Sequence, residues 1–293
     1  MPLSFLRRFA LPALLLVSAG CNLQKDIDVP TPDYPTQLVV ECYLVPGQPY
    51  RLLVQRTQPF DAPPPVSFDG TGFTGDPSIL GLDATAIISG PRGTDTIRFL
   101  PSVDTVTGTR PQFFTHTGVR IFDGQPGETF SLTVYDTEGR RVTGTSTVLQ
   151  PVPIDTVEIR FNPGVDSASA KAGILARYRD PAAPGDAYRY TTNRVIRGRL
   201  EEQQSFELED TQFNGLSTAV GSSYRFSQGD TLDVALTRIS RAYYRFVGSV
   251  EDAQNANGNP FAQPAAIKST VSGGVGVFTS LATDRRRVIL KRR

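Results

Sequence analysis

Cys21 closes a short series of residues whose types and order point to covalent chemistry. Two arginines, Arg7 and Arg8, precede an apolar run from Phe9 to Val17, and Ser18, Ala19 and Gly20 lead directly into the cysteine. A charged head, a short apolar segment and small residues ahead of a cysteine are the layout of a secretory signal whose cysteine accepts a lipid. The sulfur would take diacylglycerol and the new amino terminus an acyl chain, so residues 1–20 are expected to be removed. The run is shorter than the roughly 20 apolar residues that cross a bilayer. Ser18 stands where an aliphatic residue is usual, which leaves a plain secretory signal before a structural cysteine as the alternative.

Other reactive side chains are scarce. Histidine occurs once, at His116, so a Ser-His-Asp or Cys-His arrangement would have to be built on that residue, and no motif beside it supports one. A structural or exposed histidine is expected. Zinc or iron sites of several His and Cys ligands are excluded by the counts of one and two. No Asp-x-Asp-x-Asp-Gly calcium loop is present, and Gly75-Asp76-Pro77 and Gly229-Asp230-Thr231 read as turns. No cofactor or metal is expected. Cys42 lies in Leu38-Val39-Val40-Glu41-Cys42-Tyr43-Leu44, a strand pattern in which a buried, inert thiol is expected. The glycines of Ser272-Gly273-Gly274-Val275-Gly276 precede a strand and lack the lysine of a phosphate loop, so they are read as close backbone packing. Arg285-Arg286-Arg287 and Lys291-Arg292-Arg293 are read as a solvated strand end, with lipopolysaccharide phosphates or an acidic partner as the alternative.

The elements that must position these residues are mostly strands. Residues 22–35 are proline-rich and fit an extended tether, and Lys25, Asp26 and Asp28 just after the cysteine resemble a surface-export signal, with a merely solvated linker as the alternative. Without Arg7 and Arg8 the chain has 28 basic and 29 acidic side chains, a balance that points away from nucleic acid. Runs rich in Val, Ile, Thr, Tyr and Phe at 36–45, 50–57, 84–89, 94–99, 113–122, 128–136 and 140–149 predict an immunoglobulin-like β-sandwich over 36–150. Gln150-Pro151-Val152-Pro153 breaks strand pairing. Runs at 154–161, 173–179, 187–197, 231–238 and 275–281 then predict a second β-rich domain over 151–293. After Ser240 as N-cap, Tyr243, Phe246 or Val247, Val250 and Ala253 recur at helical spacing, which predicts one helix near 240–256 covering the second sheet.

One long segment interrupts the first set of strands. Gln58 to Asp83 is rich in Pro, Gly and Asp and carries Phe60, Phe68 and Phe73, which make it either a partner-docking loop or an unstructured insertion.

Taken in order, Leu38-Val39-Val40-Glu41, Pro46-Gly47-Gln48-Pro49-Tyr50, Pro151-Val152-Pro153-Ile154-Asp155-Thr156, Tyr188-Arg189-Tyr190, Gly229-Asp230-Thr231, Ile239-Ser240-Arg241-Ala242-Tyr243-Tyr244 and Asn259-Pro260-Phe261-Ala262 resemble the domain-of-unknown-function 4249 family. The chain departs from that pattern at Cys42, where glycine is usual, in lacking a tryptophan near Tyr190, and in the enlarged loop before Asp83. The resemblance implies an outer-membrane lipoprotein of Bacteroidota type, commonly encoded beside a TonB-dependent transporter, and it brings no activity with it. The expected role is that of a non-enzymatic, surface-exposed accessory, held to the membrane by its lipid, that captures or gates an unknown ligand for such a transporter. The alternatives are a free-standing surface adhesin or glycan-binding lipoprotein and, third, a hydrolase with an unrecognised carboxylate pair.

Overall fold

Alternation along the first strand already separates an inside from an outside. In β1 (Leu38–Leu44) the side chains of Leu38, Val40, Cys42 and Leu44 are buried, whereas Val39, Glu41 and Tyr43 point the other way and are only partly covered. The computed structural model describes residues 35–58, 67–68, 73–74, 77–104, 112–163, 169–256 and 265–292. The signal, Cys21, nearly all of the tether and Phe60 lie outside the described residues.

The first sandwich is made of two five-stranded sheets. One runs, in spatial order, β19 (Val275–Ser280), β1, β2 (Pro49–Arg56), β8 (Gln112–Ile121) and β7 (Phe99–Asp104). The other runs β18 (Val271–Ser272), β10 (Arg141–Thr147), β9 (Thr129–Tyr135), β5 (Thr85–Gly90) and β6 (Gly93–Ile97). Leu52, Val54, Ile88, Leu132, Val134, Phe122 and Phe130 fill the space between them with Leu38 and Val40, each side chain contributing about 1.5–3 kcal/mol by leaving water. Inside the long loop, β3 (Ser67–Phe68) pairs antiparallel with β4 (Phe73–Thr74), which brings the backbones of Phe68 and Phe73 opposite one another.

Two strands of this sandwich come from far down the chain. β19 pairs with β1 in parallel, Val39 opposite Val275 through Leu44 opposite Ser280, and β18 pairs with β10. The expected second domain over 151–293 is therefore corrected: the chain leaves the first sandwich at Gln150 but residues 271–280 return to it. The glycine run makes the return possible. A Cβ on Gly276, whose φ is +131°, would lie 2.0 Å from the Val40 carbonyl oxygen, and one on Gly274 would lie 2.4 Å from that of Leu38.

The second sandwich is smaller. One sheet contains β11 (Ile154–Phe161), β12 (Lys171–Arg179) and β15 (Ser217–Gly221), with β16 (Phe226–Ser227) also paired to β12. The facing sheet runs β14 (Arg199–Glu209), β13 (Ala187–Ile196), β17 (Thr231–Ile239) and β20 (Ala282–Ile289). Its core is built around three buried tyrosines, Tyr178, Tyr188 and Tyr190, with Ile174, Leu232, Val234 and Leu236. Val152, from the proline-rich connection, belongs to this core.

The helix α1 (Arg241–Ala256) forms where its spacing predicts, and Ser240 Oγ accepts the Tyr243 N–H at 3.1 Å as its N-cap. Its apolar face does not lie over the second sheet alone. Tyr243 and Phe246 pack with Ala187 and Ile239 of the second sandwich and with Val277 of the first, and Tyr43 and Leu281 join the cluster. The helix thus closes one side of the seam between the sandwiches, because β19 brings an outward apolar residue to that place. No helix among the described residues is long and apolar enough to cross a membrane.

Candidate functional site

A cleft of about 290 Å³ lies between the outer face of the sheet containing β1, β2 and β8 and the outer face of the sheet containing β14, β13, β17 and β20. Register explains which residues meet there. Ser205, Thr191, Ala235 and Arg285 stand opposite one another across four strands, and Glu207, Arg189, Thr237 and Thr283 form the adjoining row. A third row holds Glu202, Asn193, Asp233 and Arg287. The cross-strand partners in a row share a face. Glu202 and Ser205 are three residues apart and would normally point to opposite faces. A β-bulge restores them to one face, because the register steps from Thr192 opposite Gln204 to Asn193 opposite Glu202 and leaves Gln203 over. Ala235 offers only a methyl at the middle of these rows, and that leaves depth in the floor.

The opposite wall is made by the first sandwich. Tyr43, Pro49 and Arg51 come from the outward positions of β1 and β2, and Gln48 from the turn between them. Phe114 joins them through an irregularity in β8. The Thr115 hydroxyl accepts the Val54 N–H at 2.8 Å, so a side chain occupies a place in the ladder that a backbone group would otherwise take. Phe114 consequently lines the cleft, with the Arg51 guanidinium 5.7 Å from its ring centre, whereas His116 two residues later points into the core.

Two of the three guanidiniums in the cleft, those of Arg189 and Arg285, are held by acidic partners, and the third, that of Arg51, stands against the Phe114 ring. Arg189 Nε donates to Glu207 at 2.6 Å and its Nη2 to the Tyr243 hydroxyl at 2.7 Å. Arg285 Nη1 donates to the buried Asp233 at 2.9 Å. Burial raises the phenol pKa of Tyr243, so it stays a neutral donor and acceptor beside Arg189. Tyr43 packs edge-on against Tyr243 at 5.8 Å and donates to Glu41 at 3.3 Å, whose carboxyl is raised by burial. Asn193 is different. Its residue is only 3% exposed, it lines the cleft, and its amide hydrogen-bonds nothing among the described residues. Its amide is therefore open to whatever enters the cleft.

The residues singled out in the sequence fall elsewhere. His116 is fully buried: its Nε2–H donates to the Ala84 carbonyl at 2.9 Å and its Nδ1 accepts the Thr115 hydroxyl at 2.8 Å. Burial lowers its pKa, consistent with that neutral tautomer, and it joins the two sheets of the first sandwich. Cys42 is fully buried in the same core, where desolvation raises its thiol far above the ordinary range. Of the arginine run read as a solvated end, Arg285 enters the cleft and Arg286 donates to the Ile154 carbonyl at 3.1 and 3.2 Å. Phe68 and Phe73 belong to the small hairpin, and Cys21 and Phe60 lie outside the described residues. The cleft itself was not anticipated. The available signal was the polar face of Arg189, Thr191 and Asn193, alternating with Tyr190 and Thr192.

Residues 24–287 match the model of a family described as Domain of unknown function (DUF4249). The chain belongs to this family. The DUF4249 match spans both sandwiches, the helix and every cleft residue, and two of the motif segments noted above supply Gln48, Pro49 and Arg189 to the cleft. No curated protein matches the chain.

Proposed function

We propose that this DUF4249 protein is a non-enzymatic, lipid-anchored outer-membrane accessory that captures or gates a ligand for a TonB-dependent transporter at the cell surface. The observation that carries the reading is Cys21 in the sequence setting of a lipid acceptor, together with a folded body whose cleft is lined by polar hydrogen-bonding groups without a histidine or cysteine. The only histidine and the thiol of Cys42 are both in the core, away from that cleft. Tethering supplies the mechanism. Lipid attached at Cys21 confines the sandwiches to the membrane surface and raises their effective concentration around a partner, so modest contacts suffice.

Two measurements test it. Labelled palmitate should enter the wild-type chain and fail to enter Cys21→Ser, and extraction in mild detergent should bring a TonB-dependent barrel with the wild-type protein. A chain that takes up no palmitate, or one that always elutes without a barrel, overturns the proposal. The polar lining of the cleft favours a second reading, a free-standing glycan-binding lipoprotein, which would bind its ligand with no barrel present.

A further inference from the structure

We infer that the cleft between the sandwiches is a binding site for a small, uncharged, polyhydroxylated ligand of mono- to disaccharide size. The inference deepens the ligand-capture reading above and rests on the binding role, not on the transporter. Three observations carry it.

The first is the state of the charges. Arginines in a pocket ordinarily point to an anion, since guanidinium pairs with carboxylate or phosphate in a bidentate fashion. Here Arg189 is already bonded to Glu207 and Tyr243, Arg285 to Asp233, and the Arg51 guanidinium lies against the Phe114 ring. An anion would have to compete with carboxylates that are covalently fixed in place and mostly buried. A hydroxyl has no such conflict. It can accept from the guanidinium N–H groups left over and donate to the same carboxylates, and each fixed pair offers both roles side by side.

The second is Asn193. Asn193 sits at the floor on a strand buried on both sides, it lines the cleft, and its amide bonds no side chain or backbone group among the described residues. A ligand hydroxyl can bond this amide in place of the water that fills an open cleft. Neighbouring hydroxyls on Thr191, Thr283 and Ser205 extend the same chemistry.

The third is size and shape. A cavity of about 290 Å³ stands at the lower end of ordinary small-molecule sites. Pro49 and Phe114 provide the apolar surface against which the C–H faces of a sugar can lie.

The test is titration of the full chain, purified in mild detergent, with a panel of neutral hexoses, pentoses and their disaccharides, and with inorganic phosphate and succinate as anionic probes. At least one neutral saccharide should bind and raise the melting temperature. Ala235→Leu, which fills the floor, should weaken that binding at least tenfold, and Asn193→Leu, which keeps the volume but removes the amide, should do the same. Ser131→Ala, on the other sheet of the first sandwich, should leave it unchanged. The inference is overturned if no neutral saccharide binds, if phosphate or succinate binds and the saccharides do not, or if binding survives both cleft variants in protein that melts normally. Should either cleft variant fail to fold, the other decides. Saccharide binding in a protein that never co-purifies with a barrel would reject the transporter role while leaving this site intact.

Discussion

The two sandwiches are held together by different means. The first has an almost wholly aliphatic and phenylalanine core, closed by a returning strand whose backbone is packed directly against β1. The second is centred on tyrosines with polar ends: Tyr188 donates to the buried Asp180 at 2.5 Å, and the Tyr190 hydroxyl accepts from Thr192 at 2.9 Å. Asp180 also accepts the Gly215 N–H at 2.9 Å, and Asp210 accepts those of Gly185 and Asp186 at 2.7 and 2.8 Å. The first sandwich rests mainly on shape, whereas the second adds buried hydrogen bonds to its packing, with the Tyr178 hydroxyl left without a partner among the described residues. The same contrast accounts for the cleft, because the second sandwich carries its polar chemistry through to the outer face that meets the first.

The largest effect should come from Gly276→Ala. The new methyl would collide with the Val40 carbonyl at a φ that alanine avoids, so the loss should be at least about 3 kcal/mol in denaturant unfolding. A loss under about 1 kcal/mol would mean that β19 is not essential to closure.

Tyr188→Phe is the matching probe of the second sandwich. It removes a hydroxyl from a buried carboxylate without changing shape, and should cost about 2 kcal/mol in the same unfolding measurement. A neutral result would show that this core also depends on packing alone.

His116 gives the first sandwich a pH dependence that can be isolated, since the chain has no other histidine. Burial lowers its pKa in the folded state below the ordinary imidazole value of about 6.5. Above that value the imidazole is neutral whether the chain is folded or not; as pH falls below it, the unfolded chain takes up a proton that the folded one resists, and stability drops. Glu41 and Asp186 are raised by burial and act in the opposite sense, so the informative quantity is the difference between wild type and His116→Gln. Between pH 7 and pH 5 the wild type should lose up to about 1.4 kcal/mol per pH unit more than the variant. Parallel curves would remove His116 from the account.

Ser240→Ala should have the smallest effect, about 1 kcal/mol, because it deletes one N-cap bond on a helix that packing also holds. Helical circular dichroism should change little while the melting temperature falls slightly.

Strands with a clean two-residue period were legible in the sequence. Phe130, Leu132 and Val134 point into the core as their alternation with Ser131, Thr133 and Tyr135 predicts. The helix was legible as well, from its cap and its apolar spacing. The strands that escaped notice have a physical reason for doing so. β14 reads Arg-Leu-Glu-Glu-Gln-Gln-Ser-Phe-Glu-Leu-Glu, an edge strand with polar groups on both faces, and β7 carries Pro101, which is tolerated there because β7 is also an edge. β20 hides behind Arg285-Arg286-Arg287, whose charges are met by Asp233 and the Ile154 carbonyl. The cleft was illegible for a further reason: period shows which side chains face outward, but not which two outward faces meet. That information resides in the pairing of β1 with β19, which no local pattern contains.

That parallel pair also sets an order of events. Hairpins such as β9–β10 can zip as soon as they emerge, but the slot beside β1 stays vacant until Val275–Ser280 arrives from the opposite end of the polypeptide. Contacts of such long sequence separation fold slowly. A newly made chain would therefore remain open-edged until residues 275–280 are in place, vulnerable to proteases and to chaperone capture, and a version cut short before residue 275 would display the unpaired edge of β1 permanently.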